Sequence, residues 1–235
     1  MKQDASAAFR GSATLSELVH RFDEHNQHAH RQMAVFDPAH CAKWTDAQKR
    51  HFVRTFYHVR GHFVDFLWLL GNQAPQEAGK DRVLHNFREE FGEAGHSHEK
   101  LYEQFAQQFG VDLHEESLHR KTYLPWIARY NSGHLEWLHG RDWPSQQAAF
   151  AAYERLDNVD YADLLKVADA IGAQGPARTF FQVHAAVQHY QTVADALEQD
   201  WVRHSQKITD AFAFIADHQN AMWQRLGEEI GSQRG

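Results

Sequence analysis

The chain of 235 residues is long enough to bury a substantial core, and its 43% hydrophobic and 23% charged residues exclude wholesale disorder. A net charge of −7 argues against a broadly basic nucleic-acid surface, and the single cysteine, Cys41, excludes an internal disulfide and a cysteine-rich zinc site. No apolar run approaches the ~20 residues of a bilayer span, and the first twenty residues have no apolar run, so we expect no secretory signal. We therefore expect a cytoplasmic protein with no nucleic-acid or membrane partner.

Four helical segments are predicted in the first half of the chain from apolar residues at helical spacing. They are residues 14–33, a segment after Thr45 that ends near Gly71, and residues of about 80–109 and about 117–139. Thr45 and Gln48 have the spacing of a capping box. Glycines at 92 and 95 should interrupt the third segment, and Pro125 and Gly133 should bend or break the fourth.

The second half of the chain also has helical spacing throughout. Ser145 is expected to cap a short helix, residues 161–171 form another, and residues 172–176 form a loop. Residues 177–230 are predicted to form two long helices or one bent helix. No alternating β-branched run is long enough to be a strand. The sequence therefore predicts an all-α protein of seven to eight helices in a single domain, residues 1–235, with its core between about 14 and 230.

The segment of residues 85–98 combines glutamates and histidines, the mixed oxygen and nitrogen donors of non-haem iron and manganese sites. Glu89 and His96 are seven residues apart, so on an ideal helix they share a face but lie ~10 Å apart along the axis. Unwinding at the two glycines could bring them together. Glu93 and His96 need no unwinding, because they have the Glu-x-x-His spacing of four-helix carboxylate di-iron proteins. The residues alone leave both pairs open, with a solvated charged helix as the alternative.

Other candidates lie elsewhere in the chain. His184 stands among apolar residues and shares a helical face with Gln188 and Gln191, so it is expected to be buried, either as a hydrogen-bonded structural histidine or as a ligand. Glu154 lies in an apolar-flanked helix. Three weaker candidates remain. His58, His62 and Asp65 have a chelating spacing, and the histidines at 20, 25, 28 and 30 could offer an axial haem ligand. Cys41 could act as a nucleophile.

The third segment resembles a known family. Residues 86–92 (Asn-Phe-Arg-Glu-Glu-Phe-Gly), His96 and the helix from Leu101 to the Phe-Gly-Val at 109–111 resemble the haem-oxygenase-like di-iron oxidases, also called iron-containing redox enzymes. Glu89 and His96 have the ligand spacing of the chlamydial death-domain-associated member. A Tyr-Glu at 153–154 and a Phe-x-x-His ending at His184 follow in the family's order, so the resemblance spans roughly residues 15–200.

The resemblance implies a seven-helix up-and-down bundle with an internal metal pocket. Its metal ligands, carried over by position, would be Glu89, His96, Glu154 and His184. In the family a carboxylate follows the core histidine by one turn, whereas this chain has Gln188 there. A neutral amide is a poor ligand for a hard cation, so four ligands remain for one metal and the second site lacks a carboxylate.

The resemblance also implies an activity. Family members activate O₂ at iron to oxidise or cleave small amines, amino acids or fatty acids, so we expect a non-haem iron oxidoreductase with one or two Fe²⁺, or manganese, and no haem. Its partners would be O₂ and a small organic substrate, and family habit suggests a homodimer. The alternatives are a metal-free enzyme similar to the thiaminase-type and pyrroloquinoline-quinone-synthase-type proteins, or a non-catalytic ligand-binding relative.

Overall fold

The computed structural model describes residues 5–92, 97–186 and 190–233, and in these ranges the secondary structure is helical. One short 3₁₀ turn, Ala34–Phe36, accompanies eleven α-helices in the described ranges. They are α1 (Ala5–Phe9), α2 (Leu15–His30), α3 (Pro38–Cys41), α4 (Asp46–Gln73), α5 (Glu77–Phe91), α6 (His98–Gln108), α7 (Leu113–His119), α8 (Pro125–His139), α9 (Trp143–Ile171), α10 (Pro176–Ala186) and α11 (Gln191–Ser232). Because α1, α3 and α7 are short, eight long helices remain in the described part, and the predicted all-α class is confirmed.

Several helices begin at a capping residue or a proline. The Thr14 side chain accepts a hydrogen bond from the Glu17 N–H and begins α2. Thr45 and Gln48 form the predicted capping box of α4. Pro125 occupies the first turn of α8, where its missing N–H costs nothing, so the predicted break falls there. Gly133, in contrast, leaves α8 uninterrupted.

The helix α9 corrects one prediction. Ser145 was expected to cap a short helix separate from residues 161–171, but Asp142 is the N-cap and α9 is continuous from Trp143 to Ile171. No glycine or proline lies between Ser145 and Ile171, so no residue there stops the helix. The helix ends at Gly172, whose φ of +99° closes it in the left-handed region that glycine tolerates.

The buried apolar side chains form two clusters that share the long helices α4, α9 and α11. On α9, Leu156 is the last buried member of the first cluster and Tyr161 is the first member of the second. Acidic residues of α9 lie at this boundary, Glu154 and Asp160 buried and Asp157 partly so. The fold therefore places a polar layer between two apolar regions. No helix in the described ranges is both long and apolar enough to span a membrane.

Candidate metal centre

Three side chains from three helices converge inside the bundle. Glu90 at the end of α5, His98 at the start of α6 and His184 in α10 each present one ligand atom, and these atoms lie within 4.8 Å of one another. The His98 Nδ1 atom lies 2.9 Å from Glu90 Oε1, and the rings of His98 and His184 are 4.2 Å apart between centroids. The three groups therefore have the spacing of ligands around one ion.

Helical phase directs Glu90 and His98 inward. The buried residues of α6 are His98, Leu101, Tyr102, Phe105 and Ala106, so His98 begins the apolar stripe at intervals of three and four residues. On α5, Glu90 continues the stripe of Val83, Asn86 and Phe87 in the same way. Gly92, with φ of +74°, ends α5 two residues after Glu90, and the Ser97 hydroxyl caps α6 one residue before His98.

His184 is neutral and has the imidazole tautomer that a metal ligand needs. Its Nδ1–H donates to the carbonyl of Phe180 at 2.8 Å, which leaves Nε2 with the lone pair that binds metals. Burial, and then the neighbouring His98, lower the pKa of His184 to about 3. The ring of Tyr161 stacks on the imidazole at 4.3 Å and fixes its plane.

Glu90 is held as a carboxylate by neighbouring donors. Burial alone would raise its pKa, but His98 and the guanidinium of Arg60 together lower that pKa to about 2. Arg60 Nη2 lies 3.3 Å from Glu90 Oε2, and Arg60 Nη1 lies 3.2 Å from Glu99 Oε2. Arg60 also lies over the rings of Tyr102 and Phe180. Glu90 is therefore anionic near neutral pH, as a metal ligand must be.

Two further carboxyl groups on α9, those of Glu154 and Asp157, lie in surroundings that disfavour their ionised form. Glu154 is 1% exposed, and its Oε1 atom has no hydrogen-bond partner within the described ranges. Burial, and then Asp157, Glu90 and Glu89, raise the pKa of Glu154 well above its usual value. Burial and the acidic neighbours Asp160 and Glu90 likewise raise the pKa of Asp157. A buried carboxyl without a partner is costly, and a cation would relieve that cost, so this donor set fits a metal such as iron.

The residues predicted as ligands are placed as follows. His184 belongs to the three-residue cluster, and Glu154 is buried close enough to Glu90 to feel its charge. Glu89 is partly buried, with Oε1 lying 3.6 Å from His85 Nε2. The remaining predicted positions, His96, Glu93 and the second-site position Gln188, lie outside the described residues.

Sequence reasoning did not select Glu90 and His98, although both lie in the segment that it singled out. The signal that could have found them is the amphipathic phase of each helix. Glu90 follows Val83 by seven residues and Phe87 by three, whereas Glu89 lies about 100° away around α5. The predicted pair of Glu89 and His96 stays a prediction, because His96 lies outside the described residues.

The weaker candidates have other partners. His58 Nε2 lies 2.8 Å from Glu116 Oε1, and His62 Nε2 lies 2.9 Å from His134 Nδ1. His30 lies between Asp160 and Asp163 at 3.0 and 3.2 Å. Cys41 is buried, which raises the pKa of its thiol to about 12 and makes it a poor nucleophile. Within the described ranges, Glu90, His98 and His184 form the one group of three such residues with metal-ligand spacing.

Comparison with known proteins is consistent with this centre. A model of the family described as iron-containing redox enzymes matches residues 50–224, which is most of the chain and includes Glu90, His98 and His184. The chain belongs to this family of iron-containing redox enzymes. The family resemblance expected from residues 86–111 is thereby confirmed.

A solved structure shows the same fold. A CADD-like protein of unknown function from Nostoc punctiforme superposes with a TM-score of 0.63 at 16% identity, over 91% of this chain and 97% of that chain. At this identity the likeness shows a shared fold alone. A search of curated proteins found no match.

Proposed function

We propose that this member of the iron-containing redox enzymes is a non-haem iron oxidoreductase that uses O₂ to oxidise a small organic substrate. The observation that carries the proposal is the convergence of Glu90, His98 and His184 within 4.8 Å. One carboxylate and two imidazoles form the ligand set that leaves open positions on non-haem iron. Bound ferrous iron would supply the electrons and the coordination site that O₂ chemistry needs.

Each residue of the cluster has a separate task in this proposal. Glu90 supplies the anionic oxygen, and Arg60 orients that carboxylate through its second oxygen. His184 supplies Nε2 because its Nδ1–H is committed to Phe180. His98 now contacts Glu90 through Nδ1, a hydrogen-bonded contact that a cation bound by both groups would replace. The rings of Tyr161 and Phe180, both packed on His184, exclude water from this side of the centre.

A second iron would depend on the α9 carboxyl groups. Glu154 would be one of the residues that hold it, since its Oε1 has no hydrogen-bond partner in the described ranges and burial and then acidic neighbours that include Glu90 raise its pKa. Asp157 is one turn further along α9 and would supply a carboxylate in place of the one that Gln188 lacks. We propose that one iron binds firmly and that a second binds more weakly.

Iron content per chain tests the proposal. The protein is reconstituted anaerobically with Fe²⁺, desalted and assayed by elemental analysis, and we expect one iron or more per chain. Glu90→Gln and His184→Ala should reduce retained iron to near zero, because each removes one of three converging ligands. Adding O₂ to the ferrous protein should produce ultraviolet charge-transfer bands in the parent protein and not in these two variants.

Matched controls come from the exposed ion pair on α7. Glu115 and His119 lie 3.3 Å apart and are more than half exposed, so Glu115→Gln and His119→Ala change the same residue types away from the centre. Both controls should retain iron like the parent. Glu89→Gln should retain more iron than Glu90→Gln, and the reverse order would move the ligand to Glu89. An iron-free parent, or full retention in both cluster variants, would contradict the proposal and favour a metal-free relative.

A further inference from the structure

Three histidines outside the candidate metal centre form a second cluster of imidazoles. His62 lies on α4, His134 on α8 and His218 on α11. His62 and His134 are buried, and His218 is partly exposed. The ring centroid of His134 lies 5.2 Å from that of His62 and 5.6 Å from that of His218. The cluster therefore brings three long helices together at His134.

The hydrogen bonds of His62 and His134 determine which ring nitrogen carries each proton. Burial lowers the pKa of His62 to about 4 and that of His134 well below its usual value, so both rings are neutral near pH 7. His62 Nδ1 lies 2.7 Å from the carbonyl of Val59, which can only accept, so His62 Nδ1 donates and Nε2 keeps a lone pair. His134 Nδ1 lies 2.9 Å from His62 Nε2 and therefore donates to it. The lone pair of His134 is then on Nε2.

His218 keeps a lone pair for the same reason. Its Nε2 lies 2.9 Å from the carbonyl of Tyr130, so Nε2–H donates and Nδ1 is the nitrogen without a proton. Burial lowers the pKa of this ring to about 4, so it is also neutral near pH 7. The rings of Tyr130 and Phe214 stack on the imidazole at 4.5 and 5.1 Å between centroids and fix its plane.

The free nitrogen of His134 is a buried acceptor without a donor. Its Nε2 atom has no hydrogen-bond partner among the described residues. The rings of Phe66 and Phe214, at 4.6 and 5.8 Å from the imidazole between centroids, offer it no N–H or O–H group. A buried acceptor in this state costs free energy, and a cation bound to the lone pair would remove that cost.

The spacing of the His134 and His218 rings suits two imidazoles on one ion. Metal–nitrogen bonds of about 2.0–2.1 Å put each ring centroid roughly 3 Å from the ion, so two bound rings lie roughly 5–6 Å apart. The observed 5.6 Å falls in this range. Each ring also donates its other N–H to a protein acceptor, as metal-binding histidines do. We propose that His134 Nε2 and His218 Nδ1 bind one Cu⁺ ion.

The donor set favours a soft ion of single charge. Burial, other imidazoles and a backbone carbonyl shift the pKa values of His134 and His218, and no carboxylate is among these causes. An ion of charge +2 would bring more uncompensated charge into this aromatic region, at a greater cost in desolvation. Zn²⁺ and Fe²⁺ bind more ligands, carboxylates among them, whereas Cu⁺ is stable with two imidazoles.

The copper site is separate from the candidate iron centre. His62 connects the two regions, because it accepts from His134 and also lines a cavity of about 420 Å³ whose wall includes Glu90. Both nitrogens of His62 are committed to hydrogen bonds, so it orients His134 and is not itself a ligand. The bound ion would hold α8 against α11 behind the wall of this cavity.

Cu⁺ titration of the His184→Ala chain tests the site while the candidate iron centre lacks a ligand. The metal-free protein is titrated anaerobically with Cu⁺ in competition with the coloured chelator bicinchoninate, and we expect one Cu⁺ per chain. Adding His134→Phe or His218→Phe should weaken binding at least about a hundredfold, because one remaining nitrogen cannot hold the ion. His139→Phe, at an exposed histidine of α8, is the matched control and should leave Cu⁺ binding unchanged.

Two further measurements separate ligation from folding. His62→Phe removes the acceptor that orients His134, so it should weaken Cu⁺ by about 10–100-fold and leave the count at one ion per chain. Nitrogen NMR of the imidazoles should show that Cu⁺ shifts Nε2 of His134 and Nδ1 of His218, while Nε2 of His218 keeps its proton. Phenylalanine retains the ring stacking, and circular dichroism of each metal-free variant checks that it is folded.

The outcomes also distinguish this inference from the iron proposal. Absence of Cu⁺ binding in the His184→Ala chain, or unchanged affinity after His134→Phe and His218→Phe, would overturn the inference. Tighter binding of Zn²⁺ or Fe²⁺ than of Cu⁺ to the same two rings would overturn the choice of ion. In the parent background, His134→Phe and His218→Phe should retain iron, because neither residue belongs to that centre. Failure to bind Cu⁺ with normal iron content would contradict this inference alone.

Discussion

His30 is a buried histidine held between two carboxylates. Its Nε2 and Nδ1 atoms lie 3.0 and 3.2 Å from Asp160 and Asp163, and Asp160 also accepts from the Trp223 indole at 2.7 Å. Burial lowers the pKa of His30, but the two aspartates outweigh burial and raise it to about 9. The folded state therefore retains a proton that the unfolded chain loses near pH 6.5.

This histidine predicts a pH-dependent contribution to stability. Because its folded pKa is raised, the contribution is fully present below about pH 6.5 and is lost as pH rises through about 9. His30→Gln should be less stable than the parent by on the order of 3 kcal/mol near pH 6, and the difference should shrink towards pH 10. Urea unfolding at several pH values measures it. His20→Gln makes the same change at an exposed histidine and is the matched control, and a constant His30→Gln difference would contradict the linkage.

At the residue scale, the sequence predicted part of the candidate site. The histidine at 184 could be selected because apolar neighbours surround it, and the structure places it in the cluster. The interval to His96 does not separate Glu90 from Glu89, whereas the amphipathic phase of α5 does, since the two residues differ by one step of about 100° around the helix. The unpartnered carboxyl oxygen of Glu154 was not predicted, since the lack of a hydrogen-bond donor within the described ranges is a property of packing between helices rather than of sequence.

At the element scale, the sequence predicted the helix boundaries at which a capping residue or a proline lies. Thr45 with Gln48, and Pro125, act within one turn of their own helix, so the sequence contains the whole interaction. The length of α9 was underestimated because Ser145 looked like a cap, whereas Asp142 accepts from Ser145 N–H and Oγ–H. The kink of α11 at His204, with φ of −133°, has no proline or glycine beside it and depends on packing.

Gly172 and Gly61 allow the effect of backbone conformation on stability to be measured without a change in packing. A Cβ atom at Gly172 or at Gly61 would meet nothing within 4 Å, but Gly172 has a φ of +99° and Gly61 lies within α4. Gly172→Ala should destabilise the protein by roughly 1–2 kcal/mol, because alanine resists the left-handed region. Gly61→Ala should stabilise it by about 0.5–1 kcal/mol, because alanine favours the helix. Guanidinium unfolding measures both, and effects of the same sign would refute this explanation.

At the scale of the whole molecule, the all-α class followed from periodicity, but the arrangement of the polar layer did not. The ligands of the candidate centre come from α5, α6 and α10, which are separated by almost a hundred residues between Glu90 and His184. The buried carboxyl groups of α9 complete the layer between the two apolar clusters. Only the three-dimensional packing brings these four helices to one point, so sequence spacing within a segment could not define the centre.

This arrangement predicts that metal binding stabilises the whole bundle. An ion held by Glu90, His98 and His184 would link three helices, and its binding site exists only in the folded state. Anaerobic Fe²⁺ at one hundred times its dissociation constant should stabilise the fold by about 2.7 kcal/mol and raise the thermal midpoint by roughly 5–10 °C. Mg²⁺ should do much less, because it disfavours imidazole ligands.

The variant His184→Ala provides the comparison for this prediction. It should melt at the same temperature with and without Fe²⁺, since two of the three converging ligands remain and cannot hold the ion firmly. The control His119→Ala, on exposed α7, should gain as much stability from Fe²⁺ as the parent. Equal Fe²⁺ stabilisation of His184→Ala and the parent would show that iron stabilises the fold from another site, and the polar layer between the clusters would then need another explanation.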